Sequence, residues 1–274
     1  MAITYWQGLG AFVMTGRNLS TAHLDKLKSC GSQRPWIAVV IYNDDVNAVS
    51  NRQMLPGIKA WCSVRDISVF GWYNGTGQDP YEDARQIIAL HTSLNLNGII
   101  LDLEAAYQYP GGDANKMPYM LSAIRGRLPS VEIGVSTNGM NASMIYNGRV
   151  LTPKQSFYDL RVRCLPQWYS AYYNKDGHTA PGYQMNWLKT NGSTNENFRD
   201  DNASQCYYRG LPLSYVHGTL EVSGVEGSSL SQEISDCVAA KVYGLTPGIS
   251  IYTLENTPDS DFDLLARHRN EIYL

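Results

Sequence analysis

Charged side chains are scarce in this sequence. Asp, Glu, Lys and Arg make up 17% of the 274 residues, against roughly 25% in an average soluble domain. The net charge of −3 at pH 7 gives no electrostatic support to a nucleic-acid partner, because such partners are bound through a surplus of Lys and Arg. Polar and aromatic residues take the place of charge, among them 19 tyrosines and 6 tryptophans.

Clusters of cysteine and histidine with metal-binding spacing are missing from the sequence. The five cysteines form no Cys-x-x-Cys pair, and the five histidines form no His-Glu-x-x-His motif. No Gly-x-Gly-x-x-Gly follows a predicted strand, as a dinucleotide site would require. We therefore predict no metal and no cofactor. We predict buried free thiols rather than a disulfide framework for Cys30, Cys62, Cys164, Cys206 and Cys237.

Long apolar runs are also missing. No stretch approaches the ~20 residues that a helix needs to cross a bilayer, so we predict no membrane insertion. The first ten residues, MAITYWQGLG, lack the charged start and apolar stretch of a secretory signal. We therefore expect a protein made without a recognisable signal peptide.

Short β-rich runs recur instead at a spacing of about 30 residues, which fits one strand, one helix and two short loops. The first strand is either Ile3–Trp6 or Gly10–Thr15. The other seven are predicted at Trp36–Tyr42, Ile67–Tyr73, Gly98–Glu104, Glu132–Asn138, Arg163–Tyr169, Tyr215–Glu221 and Gly248–Leu254. One longer interval places an insertion, about residues 174–209, after strand 6. It is either a lid over a site or a tolerated surface segment, with a helix around Tyr183–Lys189.

Helical patterns lie between the strands. Pro80–His91 begins with Asp79 as its N-cap, and Thr21–Cys30 and Met117–Leu128 have apolar residues at helical spacing. Two further helices are predicted to start near Thr152 and Ser229. The nearly continuous apolar strands are typical of a parallel sheet covered on both faces. We therefore predict a single α/β domain over residues 1–274, a (β/α)8 TIM-type barrel, with a doubly wound open sheet as the alternative.

The end of strand 4 contains two acidic residues. In the segment NGIILDLE, alternate residues share a face, so Ile100, Asp102 and Glu104 are predicted to point into the barrel. The apolar residues between them are predicted to pack against the helices. Two carboxylates in one barrel mouth should raise one pKa, as a general acid at neutral pH requires.

Other strand ends contribute aromatic, amide and carboxylate side chains. Aromatic faces bind the C–H surfaces of sugars, and planar polar groups bind their hydroxyls. The pattern therefore favours a carbohydrate ligand at the carboxyl ends of the strands. The predicted substrate-binding residues are Trp72, Tyr73, Asn138, Gln167, Trp168, Glu221 and Tyr252.

Two motifs resemble those of a known superfamily. NGIILDLE resembles the strand-4 signature D-G-x-D-x-D-x-E of chitinase-type (β/α)8 glycosidases, and the shorter D-x-E of phage and bacterial lysin muramidases. Gly98, Asp102 and Glu104 match, whereas Asn97 and Ile100 stand where the long signature has Asp. PQWYSAYYN at strand 6 resembles a Q-x-Y-N or W-x-x-Y segment of these families, through Gln167 and Tyr169.

The resemblance implies catalytic roles for three residues. Glu104 would protonate the glycosidic oxygen, and Asp102 would orient an N-acetyl group or stabilise charge as that group attacks the anomeric carbon. Tyr169 would hydrogen-bond the same N-acetyl group. Ile100 interrupts the inner carboxylate relay of the chitinases, which favours the muramidase version or a loss of activity.

The resemblance therefore implies a hydrolase of a β-linked N-acetylhexosamine polymer, preferably peptidoglycan, acting outside the cell on cell wall or within a phage particle. Its partner would be a cell-wall polysaccharide, with virion or homo-oligomer contacts in addition. The alternative is an inert barrel that binds glycan or serves as a structural virion or tail module. A phosphodiesterase, the third class, would need metal-binding acids and paired histidines that the sequence does not arrange near strand ends.

Overall fold

The computed structural model shows a closed barrel of parallel strands. It describes residues 5–42, 46–74, 79–103, 116–138, 145–146, 149–150, 154–167, 215, 217–223, 229–239 and 248–272. Within these residues the barrel strands are β1 (Leu9–Val13), β2 (Trp36–Tyr42), β3 (Ser68–Asn74), β4 (Gly98–Asp102), β5 (Glu132–Asn138), β6 (Val162–Gln167), β7 (Gly218–Glu221) and β8 (Ile249–Tyr252).

Each strand pairs in parallel with the next, and β8 pairs with β1 through the register Phe12↔Tyr252. This closure confirms the predicted TIM-type barrel and excludes the open-sheet alternative. The first strand corresponds to the second of its two predicted positions. Glu104, Trp168, Tyr169 and the predicted insertion 174–209 lie outside the described residues.

Helices follow most of the strands and cover the outside of the barrel. Asp79 caps the third helix by accepting from the amides of Tyr81 and Glu82, as the sequence predicts. The helices are α1 (Thr21–Ser29), α2 (Val46–Ser63), α3 (Pro80–Leu94), α4 (Lys116–Arg127), α5 (Lys154–Asp159), α6 (Leu230–Ala239), α7 (Asp259–Arg267) and α8 (Arg269–Ile272). None of them is long and apolar enough to cross a membrane.

The sequence patterns do not predict helices α2, α7 and α8, and α2 is the longest of the three. Pro56 and Gly57 lie in its middle, and proline inside a helix costs about 3 kcal/mol relative to alanine. Leu55, Ile58 and Cys62 of this helix are buried in the core. Tertiary burial therefore outweighs a local sequence that disfavours a helix.

The strands have an inner and an outer apolar face. The inner face packs Phe12, Trp36, Phe70, Trp72 and Ile100 against one another inside the barrel. The outer face of the same strands packs against the helices, and on β4 it consists of Ile99, Leu101 and, just beyond the strand, Leu103. This alternation confirms the orientation predicted for residues 99–103.

Trp6 plugs the amino end of the barrel. Its buried ring contacts Trp36, Phe70 and His217 with centroid separations of 5.7, 5.6 and 5.7 Å. Its Nε1 donates to Glu132 Oε2 at 2.8 Å. A Cβ on Gly134 would lie 2.8 Å from the Trp6 ring, so glycine is needed there. Trp6 thereby seals the end of the barrel opposite the carboxyl ends of the strands.

Three of the five thiols lie in the described part of the chain. Cys30, Cys62 and Cys164 are buried, and none of them forms a disulfide with another described residue, in agreement with the prediction for these three. Burial raises the pKa of Cys62 to about 12, so this thiol stays protonated and inert near neutral pH. Cys206 lies outside the described residues, as does the side chain of Cys237 on α6.

Candidate active site

Asp102 ends β4 at the carboxyl end of the barrel. Its register partners are Asn74 on β3 and Ser136 on β5, and residues paired in this way share a face of the sheet. Asn74 is exposed, Asp102 is half-buried and Ser136 is buried. Asp102 therefore lies at the boundary between the barrel interior and solvent, and Leu103 and Glu104 are the next two residues in the sequence.

A buried amide continues this row of polar side chains. Gln167, at the end of β6, donates from Nε2 to Ser136 Oγ at 3.3 Å, and it is paired in register with Thr219 on β7. Glu221 ends β7 and is 2% exposed. Its backbone amide donates to Glu233 Oε2 at 2.8 Å, so α6 positions the end of β7 through a buried carboxylate.

Aromatic rings form the other side of the mouth. Trp72 meets Phe12 edge-to-face at 5.0 Å and Tyr252 at 6.0 Å. Trp72 is almost fully buried and Tyr252 is half-buried. Among the described residues, the indole Nε1 of Trp72 has no hydrogen-bond acceptor. The interior thus presents an aromatic wall opposite the polar row of Asp102, Ser136 and Gln167.

Glu255 secures the junction between the last and the first strand. It follows β8 in a 3-10 turn, Leu254–Asn256, and its Oε1 accepts from the amides of Met14 and Thr15 at 2.8 and 2.9 Å. Asn51 on α2 supports the same segment, because its Oδ1 accepts from Gly16 N at 2.7 Å. Burial raises the pKa of Glu255 above its ordinary value, although the two amide donors oppose the shift.

The raised pKa of Glu255 predicts a pH-dependent stability. An acid whose folded pKa is raised binds more protons in the folded state, so stability falls as pH rises from its unfolded pKa through its folded pKa. Glu255→Gln carries no charge and escapes this loss. We expect the melting temperature of Glu255→Gln to rise relative to that of the wild type as the pH increases above the unfolded pKa of about 4.3.

The matched control for this prediction is Asp263→Asn on the exposed side of α7. It removes one carboxylate from an exposed position and so controls for the loss of a charge. A constant difference between Glu255→Gln and the wild type would contradict the assignment of the buried carboxylate.

Five predicted site residues contribute to the mouth from described positions. Asp102, Gln167, Trp72, Glu221 and Tyr252 all lie on inward-facing register positions near the carboxyl ends of their strands. Their use in binding or catalysis stays a prediction. The predicted catalytic partners Glu104 and Tyr169 lie outside the described residues, as does Trp168.

Two further predicted site residues, Tyr73 and Asn138, lie near the carboxyl ends of β3 and β5. Tyr73 belongs to the outer face of β3, where it is fully buried against the helix layer beside Tyr42, so the structure does not bring it to the mouth. The reason is the alternation of the strand, which places neighbouring residues such as Trp72 and Tyr73 on opposite faces. Asn138 ends β5 in register with Gln167, and its side chain is outside the described part of the structure.

Asn97 and Ile100 stand where the long acidic signature has Asp, and both residues have structural contacts. Asn97 lies at the amino end of β4, where its Oδ1 accepts from Val69 N at 2.8 Å and its own amide donates to Val69 O at 2.8 Å. Ile100 is fully buried among the interior rings. No carboxylate therefore stands behind Asp102 on β4.

Two residues at the mouth carry no signal in the sequence. Asn51 and Glu233 are fully buried polar residues on helices that hold strand ends through backbone hydrogen bonds. A lone polar residue on an amphipathic helix looks the same in sequence whether it faces solvent or a strand end. In the described residues, no group of three His, Cys, Asp or Glu side chains is placed to hold a metal ion.

Comparisons with known proteins find similarity at the level of structure. No protein-family model and no curated protein sequence matches the chain. A GH18 chitinase from Pseudoalteromonas aurantia superposes with a TM-score of 0.62 and 12% identity, covering 94% of this chain and 98% of that chain. The fold of this chain is similar to the fold of that chitinase. This confirms the predicted resemblance as a resemblance of fold.

Two further solved structures agree. A chitinase from Chromobacterium violaceum ATCC 12472 superposes with a TM-score of 0.61 and 11% identity, covering 94% of this chain and 98% of its own. The spore cortex-lytic enzyme SleL of Bacillus megaterium QM B1551 superposes with a TM-score of 0.62 and 8% identity, covering 97% of this chain and 75% of that chain. At these identities the similarity concerns the fold, because one barrel scaffold hosts many activities.

Proposed function

We propose that this protein is a glycoside hydrolase that cleaves a β-linked N-acetylhexosamine polymer, with cell-wall peptidoglycan as the preferred substrate. The observation that carries the proposal is the position of Asp102. It is inward-facing and half-buried at the carboxyl end of β4 in a closed barrel, two residues before Glu104. Active sites of such barrels lie at this end of the strands.

The proposed reaction uses the substrate's own N-acetyl group. Its carbonyl oxygen attacks the anomeric carbon, while Glu104 gives a proton to the departing glycosidic oxygen. Asp102 orients the N-acetyl group and stabilises the positive charge that develops on it. Water then attacks the anomeric carbon, Glu104 takes up a proton from this water, and the N-acetyl group is restored.

The mouth supplies binding groups that suit such a substrate. Trp72 and Tyr252 offer aromatic surface to the C–H face of a sugar. The Nε1 of Trp72, which has no acceptor among the described residues, offers a donor to a hydroxyl or acyl oxygen. Gln167 is held by Ser136 in the row next to Asp102. We assign the sugar at the cleavage point to the space between this polar row and the aromatic wall.

The direct test is release of new reducing ends by the purified protein. Peptidoglycan and chitin should be incubated separately across about pH 4 to 8, the range in which a carboxylic acid can act as general acid. We expect release from peptidoglycan, accompanied by a fall in turbidity. Release of reducing ends from chitin but not from peptidoglycan would support a glycoside hydrolase and contradict the proposed preference for cell-wall peptidoglycan.

A second candidate is an inert barrel that binds glycan or forms part of a phage particle. Ile100 favours it, because this buried apolar side chain occupies the β4 position at which the long acidic signature has a carboxylate. A protein that sediments with cell walls yet releases no reducing ends at any pH would support this candidate. Either function would be exercised outside the cell or in a virion.

A further inference from the structure

Two exposed tyrosines stack on each other away from the barrel interior. Tyr81 is 61% exposed and Tyr119 is 44% exposed. Their ring centroids are 5.8 Å apart, and the ring planes are inclined by 18°. The two rings are therefore nearly parallel, and their exposed parts form an aromatic patch that is open to solvent. We call this pair the tyrosine platform.

The tyrosine platform lies at the mouth end of the barrel. Tyr81 is in the first turn of α3, which follows β3, and Tyr119 is in the first turn of α4, which follows β4. Helices in this fold run back from the carboxyl ends of the strands, so their first turns lie at the same end as the active site. β3 and β4 are the strands that carry Trp72 and Asp102.

The surroundings of Tyr81 keep it in place and leave its ring available. The Asp79 side chain fixes the first turn of α3 through the Tyr81 and Glu82 amides. Glu82 is itself engaged, because Arg85 donates to both its oxygens at 2.6 and 2.8 Å and Gln86 donates at 2.7 Å. The neighbouring charges are thus paired with each other, and the aromatic surface is the feature that a ligand would meet.

Packing of the protein does not require the exposed rings. In α4 the core contacts are made by Met117, Met120, Leu121 and Ile124, and in α3 the buried apolar residues are Ala84 and Ile87. A ligand with an apolar face would remove the exposed rings from water, and this burial would favour binding.

We propose that the tyrosine platform is a second glycan-binding site, which holds a stretch of the polysaccharide outside the barrel mouth. Its ligand class is a chain of pyranose sugars, whose C–H faces stack on the rings while their hydroxyls meet the phenol groups. The choice of ligand rests on the proposed function. The platform would favour long polymers over short oligosaccharides, because a short ligand fills the mouth alone.

The test compares polymer binding with hydrolysis of a short substrate. The double variant Tyr81→Ala/Tyr119→Ala should bind insoluble peptidoglycan roughly 10-fold more weakly, as expected for the loss of two stacking contacts. Hydrolysis of a soluble disaccharide or trisaccharide substrate should not change. Tyr81→Phe/Tyr119→Phe keeps the rings and should retain at least half of the polymer affinity.

Tyr158→Ala is the matched control. Tyr158 is 50% exposed and is also paired with a second tyrosine, Tyr215, at 5.5 Å. It lies near the end of α5, just before β6 begins, and therefore at the amino end of the barrel. Its removal should leave polymer affinity unchanged. Melting temperatures of all variants should match that of the wild type.

The outcomes separate this proposal from the proposed hydrolase. Equal polymer binding by the double variant, the wild type and Tyr158→Ala would overturn the platform, whether or not the protein is active. A wild type that releases no reducing ends but loses polymer binding in the double variant would overturn the hydrolase and support the platform. A wild type that binds no polymer at all would overturn the platform.

Discussion

Glu104→Gln should bind cell walls as the wild type does and lose turnover by about 10²–10⁴-fold, the contribution expected of general acid catalysis. The amide keeps the size and hydrogen-bonding capacity of the acid, but it has no proton to transfer. Rates of reducing-end release at saturating peptidoglycan measure the loss, and sedimentation with the walls measures binding. A fall in both quantities would indicate a binding role instead.

Asp102→Asn tests the second member of the pair. Asp102 stands at the mouth beside Asn74 and Ser136, where its negative charge would stabilise the N-acetyl group during attack. The variant should therefore also lower turnover while leaving polymer binding in place. Asp66→Asn is a matched control, because Asp66 is highly exposed between α2 and β3 and has a left-handed backbone, φ 54°, that asparagine tolerates.

Two results would contradict the catalytic assignment. A wild type that releases nothing across about pH 4 to 8 and still sediments with walls would replace the hydrolase by the inert barrel. Equal turnover by the wild type and Glu104→Gln would keep the hydrolase and reject the acid. Glu221 and Glu255 would then be the next candidates, since both are buried carboxylates near the mouth.

Trp6→Ala should be strongly destabilising, with a loss of about 3–5 kcal/mol in the free energy of unfolding. The change removes a fully buried ring that contacts Trp36, Phe70 and His217, and it leaves Glu132 Oε2 without its indole donor. Trp6→Phe restores part of the ring volume but not the donor, so its loss should be smaller. Urea denaturation followed by circular dichroism measures both.

A suitable control for Trp6→Ala is Trp61→Ala. Trp61 lies on α2 and is only partly buried against the outer core, so its removal leaves a smaller cavity. A loss below about 1 kcal/mol for Trp6→Ala would show that the amino end of the barrel collapses around the missing ring. Activity at low temperature should survive in Trp6→Ala, because the ring lies at the end opposite the mouth.

The barrel could be predicted from the sequence because its strands are apolar on both faces and recur with a regular spacing. The same alternation predicted that Asp102 faces inward and that Leu101 and Leu103 do not. Applied to β3, it would also have separated Trp72 from Tyr73, since adjacent residues cannot both face the mouth. Tyr73 is near the end of β3 but on its outer face, so closeness to the strand end alone does not bring a side chain to the mouth.

Long-range contacts account for what the sequence could not predict. The side chains of Asn51 and Glu255 form hydrogen bonds with backbone groups just after β1. These residues are far apart in the sequence, so no local sequence pattern predicts the contacts. Trp6 was a candidate strand residue, and nothing near it in the chain indicates that it closes the barrel. The sequence of α2 disfavours a helix at Pro56, and only the core beneath it explains why the helix forms.

The junction between β1 and β8 has a consequence for biosynthesis. The backbone amide of Met14 donates to the carboxylate of Glu255, which lies 241 positions later in the sequence. Strand β8, just before Glu255, pairs with β1 and closes the barrel. At a synthesis rate of 5–20 residues per second, the nascent chain carries the apolar segment LGAFV without this partner for roughly 10–50 s. An unpaired apolar strand is a template for association with other chains. The yield of soluble protein should therefore depend on translation speed and chaperone supply more than on the stability of the finished barrel.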